Sequence, residues 1–189
     1  MPRPKFWELP EPRRRHLLDI AGRHFAAHGA RGASLNAILT EANVAKGVAY
    51  YYFDDKADLF ATVLEDAWGE IAPLTPAADA PLWPGLEVMY HAHLTILRRR
   101  PWLATLARHE PPAEVAARLA PIAAHLEALW ARVQAEGIRD DLPPELVVAM
   151  VQGLDGAIDR WWAEHPEATT AEASAAFASL KATVRGGGT

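Results

Sequence analysis

The chain has no cysteine. That excludes a disulfide framework, a thiolate zinc site and a cysteine nucleophile, and it suits a reducing cytoplasm. No run of about 18 apolar residues is present, so no membrane-spanning helix is expected. Residues 1–12 carry charges and prolines rather than an apolar stretch, so they do not read as a secretory signal. Alternating strand patterns are nearly absent. There is no HExxH, no P-loop, no GxGxxG and no GxSxG. The pairs Asp54-Asp55 and Asp140-Asp141 fall where turns and helix caps belong. Among the eight histidines, His91 and His93 diverge on a helix, and His24 and His28 lack a third ligand. The expectation is a protein that is not an enzyme and has no cofactor and no metal.

What is present is helical. The 189 residues are 50% apolar, enough for a real core. The net charge of −5 is unevenly spread: residues 1–53 carry eight Lys/Arg against four Asp/Glu, a net of +4, and the remaining 11 against 20 give −9. A basic head on an acidic body suits contact with a polyanion at one end only.

Periodicity and punctuation place about nine helices. The first starts at Pro12, shows Leu17, Ala21, Phe25 and His28 on one face, and stops at Gly29. A short helix follows the N-cap Ser34 and ends near Ala42, and Asn43 sits where a left-handed residue is easiest. Another spans Ala45–Phe53. A fourth, capped by Asp54 or Asp55, buries Leu59, Phe60, Val63, Leu64 and Ala67. Residues 72–84 hold four prolines and read as a connection. Helical stretches then cover Gly85–Arg100, Trp102–Glu110, Ala113–Glu136 (with a kink at Pro121), Pro144–Glu164 and Ala171–Arg185. The tail Gly186-Gly187-Gly188-Thr189 reads as flexible.

The segment Ser34–Lys56 carries the chemistry. Two short helices joined by a tight turn make a helix-turn-helix, whose second helix enters the DNA major groove. Close backbone approach needs small residues at its start, which Ala45, Gly47, Val48 and Ala49 are. Lys46 adds a cation there. Tyr50, Tyr51 and Tyr52 offer hydroxyls on rigid rings, although a run of three faces three directions, so one ring, Tyr52, should pack partly inward. Ser34 and Lys56 flank helix starts that can bind phosphate.

From Arg13 to Leu59 the chain resembles the DNA-binding head of TetR-type (TetR/AcrR) transcriptional regulators. The family's most recognisable stretch is Val-Ser-Lys-Gly-Thr-Leu-Tyr, an aromatic or His, Tyr or His, then Phe, with a trailing Lys. This chain has Val44-Ala45-Lys46-Gly47-Val48-Ala49-Tyr50-Tyr51-Tyr52-Phe53 and Lys56. It departs at Asn43 (a turn glycine in the family), at Ala45 (a Ser or Thr, one cap and one phosphate contact fewer) and at Val48 (a Thr, exchanging a hydrogen bond for contact with a thymine methyl).

The resemblance implies an all-α fold: a three-helix DNA-binding domain over residues 1–56 and an effector-binding and dimerisation domain over 57–189. It implies that Ser34, Tyr50, Tyr51 and Lys56 meet phosphates, that Lys46, Gly47 and Val48 face base edges, and that Leu17, Ala21, Phe25, Ile38, Val44 and Phe53 hold the helices in place. It further implies a cytoplasmic homodimer on a double-stranded DNA operator, with no membrane partner. The expected function is a repressor released from a palindromic operator by a small effector. A DNA-binding structural or division-control protein on the same fold is the alternative.

After about residue 70 no motif is specific. Gly153 and Gly156 on one late helix, with Ala175, Phe177 and Leu180 on the last, are the candidate dimer contacts. Trp68, Met89, Tyr90, His93, Trp102, Trp130 and Trp162 are candidates to line a pocket for a small apolar or aromatic effector. Each ring could equally be plain core. The acidic charge of residues 54–189 would favour a cationic ligand, or simply solvate the surface.

Overall fold

The computed structural model describes residues 2–106, 109 and 111–186, and these form helices and connections with no strand among them. The helices are α1 (Pro4–Trp7), α2 (Glu11–Gly32), α3 (Leu35–Glu41), α4 (Lys46–Ala49), α5 (Lys56–Ile71), α6 (Leu82–Arg99), α7 (Leu103–Leu106), α8 (Ala116–Ala135), α9 (Pro144–Glu164) and α10 (Thr170–Arg185). Short 3-10 turns cover Ala72–Leu74 and Ala113–Val115.

Most boundaries follow local chemistry. Ser34 caps α3 by accepting from the Ala37 N–H at 3.3 Å. Asp55 caps α5 by accepting from the Asp58 N–H at 2.7 Å. Thr169 and Glu172 form a reciprocal capping box at the start of α10. Gly29 takes φ 68°, which breaks α2 before a last turn to Gly32; only glycine does this without strain. Asn43 takes φ 52° in the turn between α3 and α4.

Three expectations shift. The helix expected over 45–53 is regular only at Lys46–Ala49, then tightens through Tyr51 N–H to Val48 O (2.9 Å) and Tyr52 N–H to Ala49 O (2.9 Å). Closing the last turn with such bonds is common where bulky residues crowd it. Helix α6 begins at Leu82 rather than Gly85, because Pro84 in a first turn forfeits no helical bond. Helix α1 was not foreseen. Of the short helix expected over 102–110, Leu103–Leu106 is formed and residues 107, 108 and 110 lie outside the described residues; so does most of the glycine tail, 187–189.

The chain packs as two units: Met1–Glu70 with Thr105–Ile122, and Ile71–Ala104 with Ala123–Thr189. The first is built around α2, α3 and α5. Leu17, Ile20, Ala21 and Phe25 of α2, Ile38 of α3, and Leu59, Phe60 and Val63 of α5 are all essentially inaccessible. Phe25 and Phe60 meet edge to face at 5.1 Å. Each such aromatic burial is worth about 2–3 kcal/mol, so the angle between helices is set by packing. Helix α1 joins this core through Phe6, fully buried, with its ring 4.9 Å from that of Phe53.

In the second unit α6, α9 and α10 pack pairwise. Tyr90, Leu94 and Leu97 of α6, Trp162 of α9, Phe177, Leu180 and Val184 of α10, and Leu129 and Val133 of α8 form its core. The Trp162 indole N–H donates to the Leu94 carbonyl at 3.0 Å. The proline-rich connection is held by Arg132, which donates to the carbonyls of Pro76 (2.6 Å), Ala77 (3.0 Å) and Ala80 (3.3 Å). Gly85 is required opposite it: a Cβ there would lie 2.5 Å from the Pro76 ring. No helix among the described residues is long and apolar enough to cross a membrane.

Candidate nucleic-acid interface

Helix α4 leaves one face uncovered. Lys46, Gly47, Val48, Tyr50 and Tyr51 are exposed, while Ala49 and Phe53 between and behind them are buried. Exposure reaches 38% for Val48, 48% for Tyr50 and 64% for Tyr51, high for apolar or aromatic side chains on a packed head. A Cβ on Gly47 would meet nothing within 4 Å. Fold packing therefore places no demand for glycine at this position. Tyr52 is half-buried, with its ring 6.4 Å from those of both Phe6 and Phe53. The tyrosine run divides as its helical spacing requires.

The frame around α4 is ionic as well as apolar. Glu41 at the end of α3 takes Arg23 at 2.6 Å and His24 at 2.8 Å, both from α2. These two bonds hold the Glu41 carboxyl below its ordinary value of 4.5, Arg23 having the larger effect. His24 is thereby a partner of a carboxylate, and no group of three His, Asp or Glu among the described residues is placed to share a metal ion.

The N-terminal segment clasps the chain just after α4. The Arg3 N–H donates to the Tyr52 carbonyl at 2.8 Å, and its guanidinium pairs with Asp54 at 2.7 Å. Arg3 in turn depresses the Asp54 carboxyl.

Ser34 is exposed at the start of α3 with its hydroxyl oxygen on the Ala37 N–H. Lys56 is placed differently from expectation. Its ammonium donates to the carbonyls of Arg31 (2.6 Å) and Ala33 (2.9 Å) at the end of α2. Carbonyls at a helix C-terminus carry partial negative charge and attract a cation. Lys56 is thus first a structural clasp, with one of its three N–H donors left over.

In the second unit Met89 and Trp130 are half-buried against the core, Tyr90 and Trp162 lie within it, and His93 is half-buried. Trp102 is half-buried, with the Arg100 guanidinium 6.0 Å above its ring. Trp68 belongs to α5, in the other unit. Tyr90 and Trp162 are filled into the core of the second unit, and Trp68 sits in the first. Of the late-helix candidates, Gly153 and Ala175 are exposed and Gly156 is half-buried, whereas Phe177 and Leu180 are buried, Phe177 with its ring 5.7 Å from that of Tyr90. Their apolar area is already spent within the unit. On α9 the candidate Gly153 shares one exposed face with Leu146, Met150, Ala157 and Trp161, spaced by three and four.

Residues 17–63 match the bacterial regulatory proteins of the tetR family. The chain is 34% identical over 96 residues to the HTH-type transcriptional repressor SCO4008 of Streptomyces coelicolor, covering 49% of this chain and 50% of that one. It spans about half or less of the length of the curated relatives it matches. The fold as a whole is that of a TetR-family transcription regulator from Shewanella sp. PV-4 (TM-score 0.67, 23% identity, 91% of this chain and 97% of the other). It is also that of the regulator FadR from Bacillus subtilis in complex with stearoyl-CoA (TM-score 0.62, 18% identity, 90% and 99%). A helix-turn-helix head on an all-helical body defines the class. Residues 17–63 thus match that family's head, and the described helices share the fold of these solved structures.

Proposed function

We propose that the chain is a sequence-specific, DNA-binding transcriptional regulator, acting as a homodimeric repressor that a small molecule releases from a palindromic operator in the cytoplasm. The observation that carries this reading is the exposed face of α4, with Lys46, Gly47, Val48, Tyr50 and Tyr51 outward; Trp7 is the other large apolar side chain exposed among the head's described residues. Lys46 and Val48 read base edges, Gly47 lets the backbone approach, and Ser34, Tyr50 and Tyr51 hold phosphates. Lys56 contributes at most its third donor.

A palindrome needs two heads. The face of α9 with Leu146, Met150, Gly153, Ala157 and Trp161 supports pairing with a second copy, and Ala175 of α10 and Gly156 extend it. The small residues allow backbones to come close, and an apolar stripe of this kind on a helical surface favours burial. A Met150→Glu chain that sediments as a monomer is the expected result.

Selection of random duplexes by the purified chain tests the whole reading. Enrichment of one palindrome is expected. Retention of DNA with no preferred sequence would instead favour a structural DNA binder and overturn the regulatory assignment.

A further inference from the structure

Helices α6 and α9 carry a polar cluster inside the apolar second unit. Tyr90 and His93 lie one turn apart on α6, and Asp155 and Asp159 one turn apart on α9. His93 Nε2 meets both carboxylate oxygens of Asp159, at 2.9 and 3.0 Å. That pair is self-sufficient: burial lowers the imidazole's proton affinity, and the Asp159 hydrogen bond and charge outweigh it, raising His93 above 6.5.

Asp155 is left over. Its carboxylate is half-buried and takes no hydrogen bond from any described residue; its environment is burial, the like charge of Asp159 and the partly compensating His93. With His93 paired to Asp159, Asp155 is the carboxylate left without a donor in a low-dielectric setting, which is costly unless a cation or donor joins it. The second observation is independent. Tyr90 is 92% buried by its 8% exposure, and its hydroxyl has no hydrogen-bond partner. That hydroxyl lies within electrostatic reach of both Asp155 and Asp159. Buried hydroxyls are almost always satisfied, so an orphan beside an unpaired carboxylate marks a missing partner. Half-buried Met89, Leu154 and Ile158 flank these positions on the same two helices and supply apolar surface.

We propose, resting on the effector reading above, that Asp155 and the Tyr90 hydroxyl form the polar end of the effector site and select an alkyl- or arylalkylammonium ion. The ammonium N–H groups donate to the Asp155 carboxylate and to the Tyr90 oxygen, and the apolar body lies against aliphatic and aromatic side chains. An anionic ligand would meet the unpaired Asp155 carboxylate. A metal ion lacks a third ligand among the described residues.

Calorimetric titration of the full chain near neutral pH would use 4-phenylbutylammonium, with 4-phenylbutanol and 4-phenylbutanoate as neutral and anionic probes of the same body. The cation is expected to bind about tenfold or more tighter than the alcohol, with the carboxylate weakest. Asp155→Asn keeps the shape and removes the charge; it should lose about tenfold in cation affinity without a lower unfolding temperature. Tyr90→Phe should lose a smaller factor, about threefold. Equal affinity for cation and alcohol, cation affinity unchanged in Asp155→Asn, or no cation binding at millimolar concentration each overturns the proposal. The regulatory reading fails separately. If the cation binds through Asp155 and leaves affinity for the selected operator unchanged, the site stands and its effector role falls. If an operator is selected but the cation does not bind, the site falls and the regulator stands.

Discussion

Arg118 and Asp58, sixty residues apart in sequence, form a buried ion pair in the unit that holds the helix-turn-helix. The same guanidinium donates to the Thr62 hydroxyl at 2.9 Å and to the Glu65 carboxylate. One side chain from the start of α8 thus satisfies three successive turns of α5. Asp58 is doubly committed, since it also accepts the Asp54 N–H at 3.1 Å.

Arg118→Ala should therefore destabilise the first unit by about 3 kcal/mol or more, because a buried carboxylate loses its counter-charge. Arg118→Lys should recover only part of this, lacking the fork that reaches Asp58, Thr62 and Glu65 together. Denaturant unfolding followed by circular dichroism measures both.

Gly47→Ala separates fold from function. The site has room for a methyl group, so the unfolding midpoint should move by less than about 0.5 kcal/mol. Operator affinity should fall by about tenfold or more, because the added Cβ stands where the backbone meets DNA. Unchanged affinity in an anisotropy titration would remove Gly47 from the interface.

Lys46→Ala and Lys56→Ala should behave oppositely. Lys46 is exposed, and its loss should weaken DNA binding and lower the salt slope by about one unit while leaving stability alone. Loss of the Lys56 ammonium frees two carbonyls at the end of α2 and should cost about 1–2 kcal/mol of head stability. A salt titration of operator binding beside a thermal melt distinguishes the two roles.

Stability should rise on mild acidification. Burial pushes Asp155 up from 3.8 to about 6, with Asp159 adding and His93 opposing. The folded chain then holds this proton more tightly than the unfolded chain, so the contribution is full below 3.8 and is lost as pH rises through about 6. His93, raised above 6.5, acts in the same sense: its contribution is present below 6.5 and lost as pH rises through its folded value. The depressed carboxyls of Glu41 and Glu172 work the other way, but only below their ordinary 4.5. Between about pH 6 and 4.5 the melting temperature should climb as pH falls, and His93 adds a rise of the same sign above 6.5. Asp155→Asn should flatten that climb and add of order 2 kcal/mol near neutral pH. A flat wild-type profile would contradict the burial of Asp155.

The helices were legible because each rests on neighbours in sequence. Ser34, Gly29, Asn43 and Asp55 act on backbone within a few residues of themselves, so their chemistry predicts where α2 ends and α3 and α5 begin. The α4 motif was legible for the same reason: Lys46 to Phe53 fall on defined sides of a short helix, and Tyr52 turned inward as the spacing requires. The pocket and dimer candidates were not. Apolar spacing shows that Phe177 and Leu180 face something, but whether that is their own unit or a second copy depends on which helix arrives first.

By itself, then, the sequence determined an all-helical chain with a helix-turn-helix head, because helix periodicity, capping and turn chemistry are local. Tertiary structure alone decided that Lys56 clasps the end of α2, that Phe6 completes the head core, that Arg118 pairs with Asp58 in that head, and that His93 pairs with Asp159 rather than Asp155. These partners lie tens of residues apart, and a pairing made by packing over that distance leaves no spacing in the sequence from which to read it.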